Sequence, residues 1–206
     1  MTIYRVAAFS VDGKGGNPAG VMLLDAPETA TNMQRIAAEV GYSETVFAVP
    51  VDGAKMTWRT RYFSPETEVA FCGHATIALG AVLGRHVAPG AFKLDLNETS
   101  ITVAADLSPA GMSITLWSPP TSSRDATAKE RDGALDLLGL SRTDLDLRLP
   151  PAHIHGGADH IVLALKDRAV LAAMDYDLNA GRAFMHRHNL VTIMLVHIEN
   201  DSVFNA

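Results

Sequence analysis

Glu44, Cys72 and His74 are the residues of this sequence whose types and positions best suit acid–base chemistry. Glu44 lies directly before an apolar segment, where a carboxylate withdrawn from water is a candidate general base. His74 opens a second apolar run, and the positive end of a helix dipole there would favour the neutral imidazole. Cys72 is a further candidate base, because a thiol near a helix N-terminus can have a lowered pKa. Each residue also has a purely structural interpretation. Glu44 could be a solvated strand end, His74 a helix cap, and Cys72 a small buried apolar residue.

The segment from Tyr62 to Leu83 must position Cys72 and His74. It predicts a strand, a tight turn at Cys72-Gly73 and a helix that opens at His74. The helix is apolar on every side, and such a helix is normally buried all round. Its first N–H groups have no intrahelical partner and lie at the positive end of the dipole. The segment therefore predicts a site for an anionic group.

The remaining sequence predicts short strands and a few helices, which is an α+β fold. Period-2 patterns and apolar runs predict strands at 3–9, 20–24, 42–49, 56–63, 92–96, 100–104, 112–117, 160–165 and 191–196. Helical spacing predicts helices at 30–40, 128–138, 170–174 and 178–188. The turn cluster from Asp12 to Pro18 lacks the spacing of a phosphate-binding loop. Pro119-Pro120 and the polar run from Thr121 to Asp125 predict a linker.

Composition narrows the classes of protein. The chain has 206 residues, 48% of them hydrophobic, and a formal net charge of −6, so a core is expected and a nucleic-acid partner is not. A single cysteine excludes an intramolecular disulfide and favours a reducing compartment. No apolar run approaches the roughly 20 residues of a membrane span, and the N-terminus lacks a signal layout. We therefore expect a cytoplasmic protein with no membrane partner.

A group of histidines, His153, His155 and His160, could suggest a metal site. On one strand His153 and His155 would share a face, which is a spacing that metal ligands can use. Only Asp159 nearby could complete such a site. Surface histidines are the favoured interpretation, and no metal is predicted.

Four motifs together resemble the PhzF-like phenazine biosynthesis family, which has the diaminopimelate epimerase-like fold. They are Gly16-Asn17-Pro18-Ala19-Gly20, Ser43-Glu44-Thr45-Val46-Phe47, Tyr62-Phe63-Ser64-Pro65-Glu66-Thr67-Glu68-Val69 and Cys72-Gly73-His74-Ala75-Thr76. The resemblance implies two pseudo-symmetric lobes, each with strands wrapped around a central apolar helix. It also implies that the two helix N-termini face one cleft. The motifs occupy residues 1–118, and residues 119–206 are expected to hold a linker, a helix and part of a second lobe.

The resemblance also implies a function. It is that of a cofactor-independent isomerase or epimerase, in which Glu44 removes a carbon-bound proton from a small carboxylate-bearing metabolite and redelivers it. The helix start would hold the anionic group through Gly73, His74, Ala75 and Thr76, while Asn17 would help to position substrate. A homodimer is expected, with neither metal nor organic cofactor.

Two departures leave other functions open. The family continues past the equivalent of Ala206 with an acidic segment and a second helix start, so the second lobe is expected to be incomplete, most simply through truncation. A non-catalytic lobe that binds a ligand or a partner is therefore one alternative. Another is a racemase based on Cys72, since its turn is similar to that of proline racemase and diaminopimelate epimerase relatives. Those enzymes pair that cysteine with a second one, and this sequence has one cysteine in total.

Overall fold

Alternating apolar residues build two mixed β-sheets, and helices cover their faces. The structure is a computed structural model that describes residues 2–10, 14–51, 53, 55–109, 111–200 and 203–205. The chain divides into two units, Met1–Pro119 and Pro120–Ala206. The predicted α+β class is confirmed.

The first unit contains eight strands and two helices among its described residues. They are β1 (Tyr4–Ala8), β2 (Asn17–Leu23), α1 (Ala30–Val40), β3 (Thr45–Pro50), β4 (Thr57–Phe63), β5 (Glu68–Val69), α2 (Gly73–His86), β6 (Gly90–Asp95), β7 (Ser100–Ser108) and β8 (Gly111–Trp117). The sheet order is β1-β2-β3-β4-β6-β7-β8, with β5 paired to β4. The pairs β2–β3 and β4–β6 are parallel, and the other pairs are antiparallel.

The two helices of this unit pack on opposite faces of the sheet. Side chains alternate along each strand, so each helix contacts its own set of strand residues. α1 buries Met33 and Ile36 in a cluster with Phe47 and Phe63. α2 packs in the larger cluster, whose sheet residues include Val21, Val46, Ala48, Tyr62, Phe92 and Val103. The strands thus surround the helix that the sequence predicts to be central.

Two glycines allow α2 to lie directly against the sheet. A Cβ at Gly80 would come 2.7 Å from Val103 Cγ2, and one at Gly84 would come 2.4 Å from Ala105 Cβ. Both contacts are too short for any side chain to be added without movement. The helix is buried along most of its circumference, but Ile77 and Ala81 are only half-buried, so the expectation of burial all round is wrong on that strip.

The second unit contains a five-stranded sheet and three α-helices among its described residues. Its elements are β9 (Ser122–Asp125), α3 (Ala128–Leu137), a 3₁₀ turn (Arg142–Asp144), β10 (Ala152–His155), β11 (Asp159–Leu165), α4 (Arg168–Ala172), α5 (Leu178–His188), β12 (Thr192–Asn200) and β13 (Val203–Asn205). The sheet order is β13-β12-β11-β10-β9, with β11 and β12 parallel. Ala134 of α3 and Phe184 of α5 pack with Ile161 and Leu163 on one face of this sheet.

Two predictions of local structure need correction. Residues 122–125, predicted as part of a linker, form β9 and pair antiparallel with β10. Pro18, predicted in a turn, lies in β2, while Asp12 and Gly13 of that turn fall outside the described residues.

In the described part of the chain, no helix combines the length and the apolar character that crossing a membrane requires.

Candidate active site

Glu44 is placed at the start of β3 by the elements on either side of it. α1 ends at Gly41, whose φ of 71° is the left-handed conformation that glycine adopts easily. After this turn the Gly20 N–H donates to the Glu44 carbonyl oxygen over 3.1 Å, which joins β3 to β2. The following residue, Thr45, is fully buried. The Glu44 side chain is held in a half-buried position, with 21% of its surface exposed.

His74 faces Glu44 from the first turn of α2. Its Nε2 atom lies 3.4 Å from Glu44 Oε2 and 3.4 Å from Ser43 Oγ. Its Nδ1 atom lies 3.2 Å from the sulfur of Cys72, the N-cap residue of the helix. The structure therefore brings the three predicted acid–base residues into one cluster. Ser43 belongs to the same cluster, and its place in a motif beside Glu44 was the signal that could have identified it.

Burial sets the electrostatics of His74 and Cys72. Desolvation lowers the pKa of His74, while the Glu44 carboxylate and a backbone hydrogen bond with Pro18 oppose this effect. The neutral imidazole is favoured, in the direction predicted for a helix start. Burial raises the pKa of Cys72 to about 12, and the negative charge of Glu44 adds to the rise. Of the two interpretations of Cys72, the one with a lowered thiol pKa is contradicted, because desolvation outweighs the nearby N–H groups of the helix.

The contacts of His74 fit one tautomer in particular. A protonated thiol can donate to Nδ1 of a neutral ring over 3.2 Å, and the Glu44 carboxylate is a second acceptor for it. In the tautomer with Nδ1 as the acceptor, the ring proton lies on Nε2, facing Glu44 and Ser43. This arrangement points one N–H donor at the carboxylate of the candidate base.

Thr76 is committed to the interior of the protein. Its N–H donates to the Cys72 carbonyl over 3.0 Å, and its hydroxyl donates to the same oxygen over 2.7 Å. The buried Tyr62 hydroxyl lies 2.7 Å from Thr76 Oγ1, and desolvation raises the pKa of Tyr62. Thr76 thus fixes the turn that carries Cys72. Gly73, His74 and Ala75 stay the helix-start residues predicted to hold an anionic group, and the N–H groups of His74 and Ala75 also face the Cys72 sulfur.

Asn17 and Glu44 lie at the same end of two neighbouring strands, β2 and β3. It is the exposed first residue of β2 and pairs with Ala8 of β1, so it belongs to a strand rather than to the predicted loop. β2 and β3 run parallel with Gly20 opposite Thr45, so Asn17 extends beyond the level of Glu44 at the same end of the two strands. A role for Asn17 in positioning substrate stays a prediction.

In the second unit, His153 and His155 contact carboxylates and His160 contacts a hydroxyl. The side chain of His153 is only 14% exposed, with Nδ1 2.9 Å from Glu130 Oε1 and Nε2 3.3 Å from Asp159 Oδ1. His155 Nδ1 also lies 2.9 Å from Asp159 Oδ1, and His160 contacts Thr192. The prediction of surface histidines is therefore wrong for His153, whose partner Glu130 comes from a distant helix.

The fold defines the class to which this chain belongs. A phenazine biosynthesis protein of the PhzF family from Bacillus anthracis aligns over 98% of this chain and 68% of its own, with a TM-score of 0.75 and 24% identity. A probable proline racemase from Agrobacterium radiobacter K84 also aligns over 98% of this chain and 68% of its own, with a TM-score of 0.64 and 10% identity. At these identities the likeness establishes a shared fold.

Sequence comparison establishes the family. The chain belongs to the phenazine biosynthesis-like protein family, whose sequence model matches residues 6–206. An uncharacterized isomerase of Deinococcus radiodurans is 36% identical over 86% of this chain and 59% of the relative. The uncharacterized isomerase YddE of Escherichia coli O157:H7 is 31% identical over 86% of this chain and 60% of the relative. The chain thus spans about 60% of the length of these relatives. The resemblance carried by the four motifs is confirmed.

Proposed function

We propose that the protein is a cofactor-independent isomerase or epimerase, with Glu44 as the base that moves a carbon-bound proton of a small carboxylate-bearing metabolite. The pairing of Glu44 Oε2 with His74 Nε2, 3.4 Å apart at the start of the apolar helix α2, carries this proposal. The relatives named isomerases support the same reaction class. A cytoplasmic homodimer stays a prediction.

In the proposed reaction, Glu44 takes a proton from a carbon next to the carboxylate of the substrate. The electron pair of the broken C–H bond moves toward that carboxylate, and negative charge develops on its oxygens. The N–H groups of Gly73, His74 and Ala75 are fixed before the reaction begins, so they can stabilise this charge without reorganising. A well-aimed donor of this kind contributes about 3 kcal/mol. Protonated Glu44, whose half-buried side chain can exchange its proton with solvent, then protonates the γ-carbon of a β,γ-unsaturated substrate as the double bond moves to the α,β position. In an α-amino acid it returns a proton to the α-carbon.

His74 has a positioning role in this scheme. With Nδ1 accepting from the Cys72 thiol, Nε2–H faces the Glu44 carboxylate and holds its orientation. Since burial keeps the imidazole neutral, His74 supplies a hydrogen-bond donor without a full positive charge. Glu44 can then accept a proton from carbon while its orientation is maintained.

Deuterium incorporation from D₂O tests the proposal. The protein is incubated with α-amino acids and with β,γ-unsaturated carboxylic acids, and label on carbon is measured by mass spectrometry. Glu44→Gln should slow incorporation by about 100-fold or more. Glu39→Gln is the matched control, because Glu39 lies on the exposed face of α1, paired with Arg35, and should leave the rate unchanged.

The outcomes separate the remaining alternatives. Incorporation by Glu44→Gln at the wild-type rate would show that another residue is the base. A folded protein that binds these carboxylates without any incorporation would favour the non-catalytic binding lobe.

A further inference from the structure

Glu44, Cys72 and His74 also form a set of metal-binding atoms. Each offers one ligand atom, and these three atoms all lie within 4.8 Å of one another. Within the described ranges, no other group of three His, Cys, Asp or Glu side chains meets this condition, the histidines of the second unit included. The set combines a carboxylate oxygen, a sulfur and an imidazole nitrogen, which are the three ligand types found in zinc sites.

The spacing of the sulfur and the ring nitrogen suits a tetrahedral ion. Zinc bonds sulfur at about 2.3 Å and imidazole nitrogen at about 2.0 Å. With Cys72 Sγ and His74 Nδ1 3.2 Å apart, such bonds would meet at an angle of about 96°, which a small side-chain rotation brings to the tetrahedral value. Nε2 then remains facing Ser43 Oγ at 3.4 Å, and an outer partner of this kind orients the ring of a metal-binding histidine. Glu44, whose Oε2 lies 3.4 Å from Nε2, reaches the cation by turning its carboxylate toward Cys72, with which it is also in hydrogen-bond contact.

We propose that Glu44, Cys72 and His74 bind a thiophilic divalent cation of the zinc type, and that the bound cation stops proton transfer by occupying Glu44. The thiol proton passes to solvent as the metal–sulfur bond forms. Sulfur and imidazole ligands favour Zn²⁺ or Co²⁺ over Mg²⁺ and Ca²⁺, which prefer oxygen. Three protein ligands leave a fourth position for water. Inhibition rests on the proposed function, whereas cation binding does not.

Co²⁺ serves as the optical probe of this site. A thiolate bound to Co²⁺ gives a charge-transfer band in the near ultraviolet, and the chain has one cysteine, so any such band reports Cys72. In a titration of the full chain the band should saturate at one Co²⁺ per protein. It should disappear in Cys72→Ser. Glu44→Gln and His74→Gln should each raise the Co²⁺ dissociation constant by about tenfold or more, since even outer-shell changes reach that size.

His86→Gln is the matched control, because His86 is exposed at the opposite end of the same helix and should leave the titration unchanged. Far-ultraviolet circular dichroism shows whether each variant is folded. The site is refuted if folded wild-type protein gives no band, or if Glu44→Gln and His74→Gln both bind Co²⁺ as tightly as wild type.

Zinc inhibition is measured separately from Co²⁺ binding. In the D₂O assay, micromolar Zn²⁺ should suppress deuterium incorporation, and a chelator should restore it. Incorporation that is unaffected by Zn²⁺ at concentrations that displace Co²⁺ would refute the inhibitory role. A Co²⁺ band without any incorporation supports the cation site and contradicts the proposed function. Incorporation without a Co²⁺ band supports the proposed function and refutes the cation site.

Discussion

Cys72 lies among groups that hold its sulfur in the protonated form. Burial is the largest of these, and the Glu44 carboxylate adds a like charge to any thiolate that forms. With a pKa of about 12, the thiol is protonated at neutral pH apart from a small fraction of thiolate. A racemase that uses Cys72 as its base would have to work with that small fraction. The residue is better suited to donating a hydrogen bond to His74.

Cys72→Ser should therefore keep the deuterium incorporation rate within about fivefold of wild type. A serine hydroxyl can donate to His74 Nδ1 as the thiol does, so the tautomer that faces Glu44 is retained. The rate is measured alongside Glu44→Gln under the same conditions. A folded Cys72→Ser protein that loses as much activity as Glu44→Gln would identify Cys72 as a base and favour the racemase.

At the scale of elements, the contact of α2 with β7 depends on a helix position without a side chain. Gly84→Ala should lower the free energy of unfolding by about 1–3 kcal/mol, because the new methyl group would overlap Ala105 Cβ. Alanine also favours a helix over glycine by about 1 kcal/mol, so the overlap must outweigh that gain. Urea unfolding measures the net effect.

Gly181→Ala in α5 is the control for Gly84→Ala. The nearest side-chain atom to a Cβ at Gly181 is 3.7 Å away, which is ordinary contact, so the helix gain should appear alone. This variant should be stabilised by about 0.5–1 kcal/mol. Stabilisation of both variants would show that α2 is less closely packed against β7 than described.

Glu130 ties the start of α3 to β9 and β10. Its carboxylate accepts two hydrogen bonds from Arg124 and one from the backbone N–H of Thr127, and it contacts His153. The pair with Arg124 holds the pKa of Glu130 far below its ordinary value. Glu130→Gln keeps a helix-capping acceptor but removes the charge, and it should lower stability by about 1–3 kcal/mol at pH 7.

The pH dependence of that loss follows from the sign of the pKa shift. The unfolded chain binds a proton at Glu130 near pH 4.3, about the ordinary value, and the folded chain only at lower pH. The charge therefore contributes its full stabilisation above the unfolded-state pKa of Glu130. This stabilisation is lost as the pH falls from there through the folded-state pKa. Urea unfolding between about pH 7 and pH 3 should show wild type converging on Glu130→Gln. A difference that stays constant over this range would contradict the ion pair.

The elements that the sequence predicts well are those whose own residues carry the pattern. α5 has the predicted bounds, Leu178–His188, and α1 matches at Ala30–Val40. β9 was missed because Ser122–Asp125 is polar and exposed throughout, and only its pairing with β10 makes it a strand. Pairing partners from elsewhere in the chain leave no local signal.

At the scale of the molecule, the same limit applies to the candidate site. The family resemblance of the motifs placed Glu44 beside the helix start that His74 opens, and the two side chains lie 3.4 Å apart. The direction of the Cys72 pKa shift was not predictable, since it depends on burial and on a carboxylate 28 positions earlier in the chain. The hydrogen bond between His74 and the backbone of Pro18 likewise depends on the position of β2 beside β3.

Glu44, Cys72 and His74 all lie in the unit Met1–Pro119, which contains its own buried cluster around α2 and a second one beneath α1. We therefore expect residues 1–119 to fold alone with a single cooperative transition, as domains with their own core generally do. Both tryptophans of the chain, Trp58 and Trp117, lie in this unit. Trp58 is 2% exposed and Trp117 is 55% exposed, so a blue-shifted emission component reports burial of Trp58.

Fluorescence of a 1–119 fragment in urea tests this expectation, with the full chain as the control. Trp58 should keep its blue-shifted component in the fragment and lose it in one sigmoidal transition. The variant Trp58→Phe should remove that component and leave only the emission of Trp117. A fragment with fully solvent-exposed emission and no transition would show that the core around α2 needs residues from the rest of the chain. The Co²⁺ titration and the deuterium assay would then be interpretable only in the full chain.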